Sequence, residues 1–522
     1  MKPQHVLSLL FVVVTSICFS QIPQIDVTHY KIDLTLTDDS DTIVVQEQIK
    51  FEHTDTEKDI VFNLTSRDNS GKGMQIENLE LNGKKLLYRH EDDSLFLMST
   101  ESFSSPLILS VSFSGVPKDG LVIGKNKYDS RTFFGDNWPT RAQNWFACND
   151  HLSDKATVEF IVTAPEKYDV VANGKLISEV STNKTRRFHY VSSMPLPTKV
   201  MVVGVAEMSS EEAGVINGTT VTSYVYPKNK KQAFYDFQLA PSILQFYVNY
   251  IAPYEFEKLD NVQSTTRFGG MENAGCIFYD ENALKGTRSS ENLIAHEIVH
   301  QWFGNSATEK DWCHLWLSEG FATYLTNVYI EKTKGKEAFQ EQLKTDRSRI
   351  ISFEKSYKHP VVDTTYSSLM NLLNPNSYQK GGWVLHMLRN EIGDELFHHS
   401  IQEYYKAYRL SNADTRDFQR IVEEVTKRDL DWFFEQWLYT SGHPNLELKS
   451  EITKNNLALH INQKEVIFKF PLKIEIEFKD GTKEQDVIRI TEKESAYEKS
   501  FSKSIKKFTL DPEVQLLFEV SD

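Results

Sequence analysis

Hydrophobic and polar positions divide the chain into three parts with different periodicities. Between about residues 25 and 205, runs such as YKIDLTL and ATVEFIVTA alternate or are uniformly apolar, and Asp, Asn, Ser, Gly and Pro separate them. Such a pattern is typical of strands. Helical spacing appears in 232–252 and dominates from 289 to about 440, and strand-like runs return after Pro444. We therefore expect a multidomain α+β protein.

These three parts correspond to the domains that we expect. We place an N-terminal all-β domain at 21–206, a central domain at 207–443 and a small β-sandwich at 444–522. Within the central domain, Pro241 predicts a kink or break in the first helical stretch. The serines at 289–290 are candidates for the N-cap of the next helix.

The first twenty residues differ from the rest of the chain. Lys2 is followed by the apolar run VLSLLFVVVTSICF (6–19) and then by Ser20, which is the pattern of a secretory signal peptide. A run of this length is shorter than the roughly 20 residues that span a bilayer, which argues against a membrane anchor. We expect residues 1–20 to be removed and the mature protein to be exported, periplasmic or secreted, without stable membrane insertion.

Charge and cysteine content exclude several classes of protein. A formal net charge of −15 argues against nucleic-acid binding, which requires a basic surface. After loss of Cys18, the cysteines are Cys148, Cys276 and Cys313, with no CxxC pair. We therefore expect buried thiols rather than a disulfide framework or a thiolate metal site.

The sequence HEIVH (296–300) is the first candidate for chemistry. Residues four apart lie on one face of a helix, so His296 and His300 can direct two imidazole nitrogens at one metal ion. Glu297 points elsewhere on the helix and can act as a base beside the metal. The alternative is that the two histidines are solvated or bonded locally, since such a string also arises by chance.

A catalytic zinc needs a third protein ligand and leaves one position open. Glu319 follows His300 by nineteen residues, near the start of the next helical stretch, and is the candidate. A structural zinc is the alternative, although no fourth protein ligand is placed for it. Trp302, Phe303 and Trp316 can supply an apolar shell around this polar centre.

The HEIVH string, eighteen residues and then Glu319, together with GGMEN (269–273), resemble the M1 family of zinc aminopeptidases. The resemblance covers most of the chain and implies a saddle-like β domain, a thermolysin-like catalytic domain and a small β-sandwich. It also implies one Zn²⁺ per chain held by His296, His300 and Glu319. Glu297 matches the general base that acts on the zinc-bound water.

The same resemblance assigns the substrate-binding residues. Glu272 matches the carboxylate that holds the free α-amine of a peptide through a charge-assisted bond, which would make the enzyme an aminopeptidase rather than an endopeptidase. Tyr378, in SYQKGG, matches the tyrosine that stabilises the oxyanion. Phe268 falls where the family places a wall of the pocket for the first side chain. The remaining positions expected along the substrate main chain are Gly269, Gly270, Met271 and Asn273.

Two departures from the family pattern bear on function. The position of a family Gln or Glu that also contacts the substrate amine falls near Trp138, so that Asp136 or Asn137 would have to substitute. The large C-terminal helical domain of many relatives is expected to be missing, which predicts an open site that accepts long peptides.

The alternative functions are an epoxide hydrolase of the leukotriene A4 hydrolase type, a non-catalytic peptide-binding relative, and a zinc endopeptidase. The preferred N-terminal residue and the oligomeric state stay open.

Overall fold

The structure is a computed structural model that describes residues 25–53, 59–98 and 106–521. The predicted signal peptide, residues 1–20, lies outside the described residues. No helix in the described part is long and apolar enough to cross a membrane. Cys148, Cys276 and Cys313 are buried and form no disulfide with one another.

The N-terminal part is built from strands, as the alternating pattern predicts. In β2, side chains alternate between buried and exposed along the whole strand, so one face of its sheet packs on the core. The strands are β1 (Ile25–Thr35), β2 (Ile43–His53), β3 (Ile60–Asn63), β4 (Gly73–Leu81), β5 (Lys84–Lys85), β6 (Leu87–Glu91), β7 (Ser94–Met98), β8 (Leu107–Val116), β9 (Leu121–Lys125), β10 (Arg131–Gly135), β11 (Lys155–Pro165), β12 (Asp169–Ala172), β13 (Lys175–Ser181), β14 (Thr185–Pro197) and β15 (Val203–Ala206).

These strands form three sheets. The largest has eight strands in the order β13-β14-β11-β1-β2-β8-β4-β5, with β1 and β11 parallel. A four-stranded sheet, β12-β15-β10-β9, and a three-stranded sheet, β3-β7-β6, complete the region. The loop after β10 carries Trp138 and leads toward the central part of the molecule.

The central part combines a five-stranded sheet, in the order β16-β17-β18-β20-β19, with a group of helices. Pro241 lies in the first turn of α2, and the helical stretch breaks before it, as predicted. The elements are β16 (Ser209–Ile216), β17 (Thr219–Val225), α1 (Lys230–Phe237), α2 (Ala240–Tyr250), β18 (Leu259–Ser264), β19 (Gly270–Met271), β20 (Cys276–Asp280), α3 (Glu291–Val299), β21 (Ala307–Glu309), α4 (Trp316–Lys334), α5 (Lys336–Glu354), a π-helix (Asn376–Lys380), α6 (Gly381–Ile392), α7 (Asp394–Tyr408), β22 (Ser411–Ala413), α8 (Thr415–Thr426), α9 (Asp431–Phe434) and a second π-helix (Glu435–Tyr439).

Local details of the central helices differ from the simple sequence pattern. Ser290 is the N-cap residue of α3, but its hydroxyl makes no capping hydrogen bond. His300 is the C-cap residue of the same helix, so HEIVH lies at the end of α3 rather than in its middle. The turn that carries Tyr378 is π-helical and runs directly into α6.

The C-terminal part returns to strands and packs on the central helices. Its sheets have the orders β27-β24-β23-β29 and β26-β25-β28. The strands are β23 (Asn445–Ile452), β24 (Asn456–Gln463), β25 (Phe470–Phe478), β26 (Lys483–Ile490), β27 (Glu494–Ser500), β28 (Ile505–Leu510) and β29 (Glu519–Ser521). The expected α+β class, with β-rich ends and helices in the centre, is confirmed.

The segment between β28 and β29 joins the C-terminal part to α5 and α6. Arg347 of α5 donates hydrogen bonds to the Asp511 carboxylate (3.2 Å) and to the Leu516 carbonyl (3.1 Å). His386 of α6 donates from Nε2 to the Val514 carbonyl at 2.9 Å. The Arg347 guanidinium also lies over the Trp383 ring. The helices therefore rest directly on this segment.

Candidate metal centre and active site

Three potential metal ligands come together between the end of α3 and the first turn of α4. His296 Nε2 and His300 Nε2 lie 3.1 Å apart. Glu319 Oε2 lies 3.4 Å from His296 Nε2 and 3.2 Å from His300 Nε2. These are the residues that the spacing of the sequence motif singles out, and they form a compact set of donors.

The donor set fits a zinc ion. Four ligands held about 2.1 Å from zinc in a tetrahedron are separated from one another by about 3.4 Å, which is close to the three distances between these donors. Glu319 Oε2 is buried and has no hydrogen-bond partner among the described residues. A buried carboxylate without such a partner is costly unless it is paired or binds a metal.

Hydrogen bonding fixes the tautomer of His300. Its Nδ1 donates to the Phe303 carbonyl at 3.0 Å and lies 3.2 Å from the Ser318 hydroxyl. When the imidazole is neutral, as a metal ligand must be, its one proton lies on Nδ1, and Nε2 is left as an acceptor that faces Glu319 and His296. Such an arrangement is typical of histidines that hold metals.

The centre carries an excess of negative charge. Burial raises the pKa of Glu297 well above its ordinary value; His300 opposes this rise, while Glu272 and Glu319 add to it. Burial alone would lower the pKa of His300, but the Glu319, Glu272 and Glu297 carboxylates raise it to about 10. Three carboxylates surround two imidazoles, and a divalent cation bound here would neutralise their excess negative charge.

Glu297 lies close to the main chain of β19. A Cβ atom built on Gly270 would come within 2.3 Å of Glu297 Oε1. The glycine therefore leaves the Glu297 carboxylate room to lie against this strand and beside the histidines. Glu297 itself is 4% exposed and lines the cavity together with the candidate ligands.

Glu272 follows β19 and lines the same cavity as the three candidate ligands. Its side chain is 4% exposed, and Oε1 has no hydrogen-bond partner in the described part of the chain. Its carbonyl accepts hydrogen bonds from Gln301 Nε2 (2.7 Å) and Asn305 Nδ2 (2.6 Å). Its main chain is thus held firmly while one carboxylate oxygen stays available.

Gln301 and Asn305 are functional residues that the sequence argument missed. Gln301 Oε1 also accepts from the Gly275 amide at 2.8 Å, so this side chain ties α3 to the loop that carries Glu272. Both residues lie in the stretch QWFGN (301–305), directly after HEIVH. The signal that could have identified them was the presence of two amide side chains soon after a metal-binding motif.

The strand β19 lies at the edge of the five-stranded sheet. Met271 is opposite Phe278 of β20, and no described strand pairs with the other side of β19. Gly269, Gly270, Met271 and Glu272 all line the cavity. Asn273 is fully buried, and neither side-chain amide atom has a hydrogen-bond partner among the described residues. A free edge of this kind can accept an extended peptide.

Tyr378 reaches the metal centre from the π-helix. Its ring stacks on the His296 ring with centroids 6.2 Å apart and planes inclined by 11°. Burial raises the pKa of the Tyr378 hydroxyl well above its ordinary value, and the Glu319 and Glu272 carboxylates raise it further. The hydroxyl therefore stays protonated and able to donate at neutral pH.

Two glycines allow this close approach. A Cβ on Gly320 would lie 2.9 Å from the backbone of Gly381, which directly follows the π-helix. Because neither residue has a side chain, α4 and the start of α6 can touch backbone to backbone. This contact brings the π-helix that carries Tyr378 close to the first turn of α4, which carries Glu319.

The cavity has a volume of about 420 Å³ and an uneven lining. Phe268 and Trp138 supply aromatic surface, with ring centroids 6.2 Å apart, and Trp138 also packs on Trp312. Polar side chains of α4 and α5, including Asn327 and Asp346, line the cavity as well. The candidate ligands share this cavity with both groups.

Asp136 and Asn137 are both engaged away from the cavity. The Asp136 carboxylate forms an ion pair with Arg141. Asn137 donates to the carbonyls of Thr198 and Met201 and accepts from Trp145 Nε1. Of the three neighbours 136–138, Trp138 is the one that lines the cavity.

Comparison with known proteins identifies the family. Residues 26–200 match the Peptidase M1 N-terminal domain, and residues 235–437 match the Peptidase family M1 domain. The chain is 30% identical over 342 residues to glutamyl aminopeptidase of Homo sapiens, which covers 62% of this chain and 36% of the relative. It is 25% identical over 451 residues to leucyl aminopeptidase of Saccharolobus solfataricus, covering 80% and 56%. The matches thus span about a third to just over half of the length of these relatives.

A solved structure shares the fold. The crystal structure of Legionella pneumophila aminopeptidase A in complex with aspartic acid superimposes with a TM-score of 0.82 at 15% identity, over 96% of this chain and 60% of that one. Both M1 domains are matched, in the expected order and over most of the chain. The chain therefore belongs to peptidase family M1.

Proposed function

We propose that the protein is a zinc-dependent aminopeptidase that hydrolyses the first peptide bond of peptides with a free N-terminus. The observation that carries this proposal is the position of Glu272. One of its carboxylate oxygens is buried, has no hydrogen-bond partner in the described part of the chain, and shares one cavity with His296, His300 and Glu319. A carboxylate at a fixed place beside the ligands can hold an α-ammonium group and so define which carbonyl is attacked.

In this proposal, His296, His300 and Glu319 hold the zinc ion. When bound, zinc polarises the scissile carbonyl and makes water more acidic. Glu297 removes the proton of the attacking water and later delivers a proton to the leaving amine. Tyr378 donates a hydrogen bond to the oxygen on which negative charge develops.

The edge of β19 supports binding of the substrate main chain. Its free side, from Gly269 to Met271, would pair with the first residues of the peptide, and Asn273 would help to hold the turn after the strand. Phe268, next to Trp138, would form the wall against the first side chain. This apolar wall favours substrates that begin with a large apolar residue.

Hydrolysis of aminoacyl-arylamides with and without a chelator tests the proposal. We expect Leu-, Met- and Phe-arylamides to be cleaved, activity to be lost on chelation, and zinc to restore it. N-acetylated substrates should resist cleavage because the Glu272 carboxylate then has no ammonium group to hold. Cleavage of N-acetylated peptides would instead indicate an endopeptidase, and turnover of an epoxide without arylamide hydrolysis would indicate a lipid hydrolase.

Export is part of the proposal and rests on residues 1–20 alone. The basic start, the apolar run and Ser20 support cleavage of this segment during secretion. Fractionation of cells that express the full chain, with N-terminal sequencing of the mature protein, tests it. A protein found in the cytoplasm with Met1 intact would contradict export.

A further inference from the structure

Lys380 is a buried cation that the proposed chemistry does not use. It lies two residues after Tyr378 in the same π-helix, and its side chain is 0% exposed. Its ammonium group donates to Glu354 Oε1 at 2.6 Å and to the Gly442 carbonyl at 2.7 Å. The turn that carries Tyr378 is therefore anchored at its end by an ion pair.

Glu354, at the end of α5, uses both carboxylate oxygens. Its Oε2 forms a short hydrogen bond with His443 Nδ1, and the side chain is 2% exposed. His443 belongs to the segment that joins the central helices to β23, and its Nε2 lies 3.6 Å from the Glu519 carboxylate of β29. The ion pair is thus continuous with the junction between the central and C-terminal parts.

A buried ion pair adds little stability by itself, because desolvation of the two charges offsets most of their attraction. Apolar side chains of similar volume would often serve the core as well. A pair of this kind can instead select one local geometry among several. At Lys380 the geometry in question is that of the π turn.

The π turn determines where Tyr378 points. Lys380 N donates to the Pro375 carbonyl at 2.8 Å, five residues back, so the turn holds one residue more than an α-helical turn. One extra residue rotates the side chains before it by about 100° relative to the helix that follows. An α-helical turn here would therefore direct Tyr378 away from His296 and Glu319.

We propose that Lys380 is a positioning residue: its ion pair with Glu354, which His443 fixes at the junction with the C-terminal strands, holds the π turn so that Tyr378 faces the metal centre. This inference rests on the proposed role of Tyr378. It means that the C-terminal part contributes to turnover without contacting substrate.

A double-mutant cycle with Tyr378→Phe tests the inference. Lys380→Met should lower kcat about ten- to a hundredfold, the size of effect expected when a catalytic group is misplaced by about 1 Å. KM should change less than about threefold, because Glu272 still holds the amine. In the Tyr378→Phe background, Lys380→Met should have little further effect on kcat, since no hydroxyl is left to position.

Two further variants separate positioning from folding. Lys380→Met/Glu354→Gln removes both charges, so it avoids an unpaired buried carboxylate and should show the same loss of kcat. Lys358→Met is the matched control: Lys358 pairs with Glu465 at 2.7 Å across the same two parts of the molecule, but both side chains are exposed. Its kcat should stay within about twofold of the wild type.

The outcomes distinguish the inference from the proposed function. If Lys380→Met and Tyr378→Phe act additively, or if Lys380→Met raises KM alone, the positioning role is overturned while the function stands. A Tyr378→Phe enzyme with wild-type kcat would overturn the role of Tyr378 and this inference together. A wild-type enzyme that hydrolyses no aminoacyl-arylamide would refute the proposed function itself.

Discussion

Two clusters of ionisable residues contact the turn that carries Tyr378, one through the Tyr378 ring and the other through Lys380. One contains His296, His300 and Glu319 with the neighbouring carboxylates of Glu272 and Glu297, and the other contains Lys380, Glu354 and His443. In the second cluster Glu354 uses both oxygens, and its negative charge is balanced by Lys380. In the first, carboxylates outnumber cationic groups, and oxygens of Glu319 and Glu272 have no hydrogen-bond partner among the described residues.

The difference shows how the same residue types serve two purposes. A carboxylate whose two oxygens are both bonded, like that of Glu354, can hold a backbone geometry, whereas carboxylates with surplus lone pairs attract a cation and a substrate amine. Histidines show the same contrast. His386 uses both ring nitrogens, donating to Val514 and accepting from Tyr324, while His300 leaves Nε2 directed at the other candidate ligands.

The largest expected effect comes from the cluster that contains the candidate metal ligands. Glu297→Gln should lower kcat about a thousandfold, because the variant cannot take a proton from water. Zinc content, measured by atomic absorption, should not change, since Glu297 is not a candidate ligand. A kcat within tenfold of the wild type would contradict the role of Glu297 as base.

Glu272, the proposed contact of the substrate amine, has the next largest expected effect. Glu272→Gln should lower kcat/KM about a hundredfold, because an amide holds the ammonium group more weakly than a carboxylate does. The assay is initial-rate kinetics with Leu-arylamide, and metal content serves as the control. An unchanged kcat/KM would place the amine elsewhere and remove the contrast between Glu272 and the satisfied Glu354.

Both ring nitrogens of His386 have hydrogen-bond partners, so we expect this residue to affect stability rather than activity. Burial lowers the pKa of His386 to about 4, against about 6.5 in the unfolded chain. The folded state therefore binds fewer protons, so this contribution to stability is complete above about pH 6.5 and is lost as pH falls toward 4. We expect a loss of about 2 kcal/mol in the free energy of unfolding between pH 7 and pH 5.

Urea unfolding at several pH values measures this loss, with His386→Gln as the comparison. Gln has no titrating group, so the difference in unfolding free energy between wild type and variant should shrink as pH falls from 6.5 to 5. Two curves that stay parallel over this range would show that His386 does not carry the pH dependence.

The smallest effect concerns the wall of the cavity. Phe268→Ala should lower the preference for Phe-arylamide over Ala-arylamide about tenfold, because a well-filled apolar pocket distinguishes side chains by this order of magnitude. The ratio of the two kcat/KM values measures the change. Equal effects on both substrates would indicate that Phe268 supports the site without contacting the first side chain.

Local periodicity was enough to predict the broad architecture and the pairing of His296 with His300. Strand alternation and four-residue helical spacing depend on neighbours in sequence, so a single chain reveals them. Glu319 also followed from the sequence, because it lies nineteen residues after His300, near the start of the next helical stretch. The family resemblance, rather than any local pattern, singled out Glu272 and Tyr378.

Contacts between distant segments could not be predicted. Lys380 meets Glu354 and Gly442 only because α5, the π-helix and the junction before β23 converge in three dimensions. The backbone contact of Gly320 with Gly381 likewise needs the crossing of two helices. Asp136 and Asn137, the substitutes considered for the family amine contact near Trp138, are bonded elsewhere.

The segment between β28 and β29 has a practical consequence for work with fragments of this protein. It supplies hydrogen-bond partners of Arg347 and His386. The Arg347 guanidinium lies over the Trp383 ring and 5.4 Å from the centroid of the Phe518 ring. A recombinant fragment ending after the second π-helix would therefore leave apolar surface of α5 and α6 exposed to water and prone to aggregate. The boundary for expressing the catalytic region should accordingly be placed after β29, even though the candidate ligands end at Glu319.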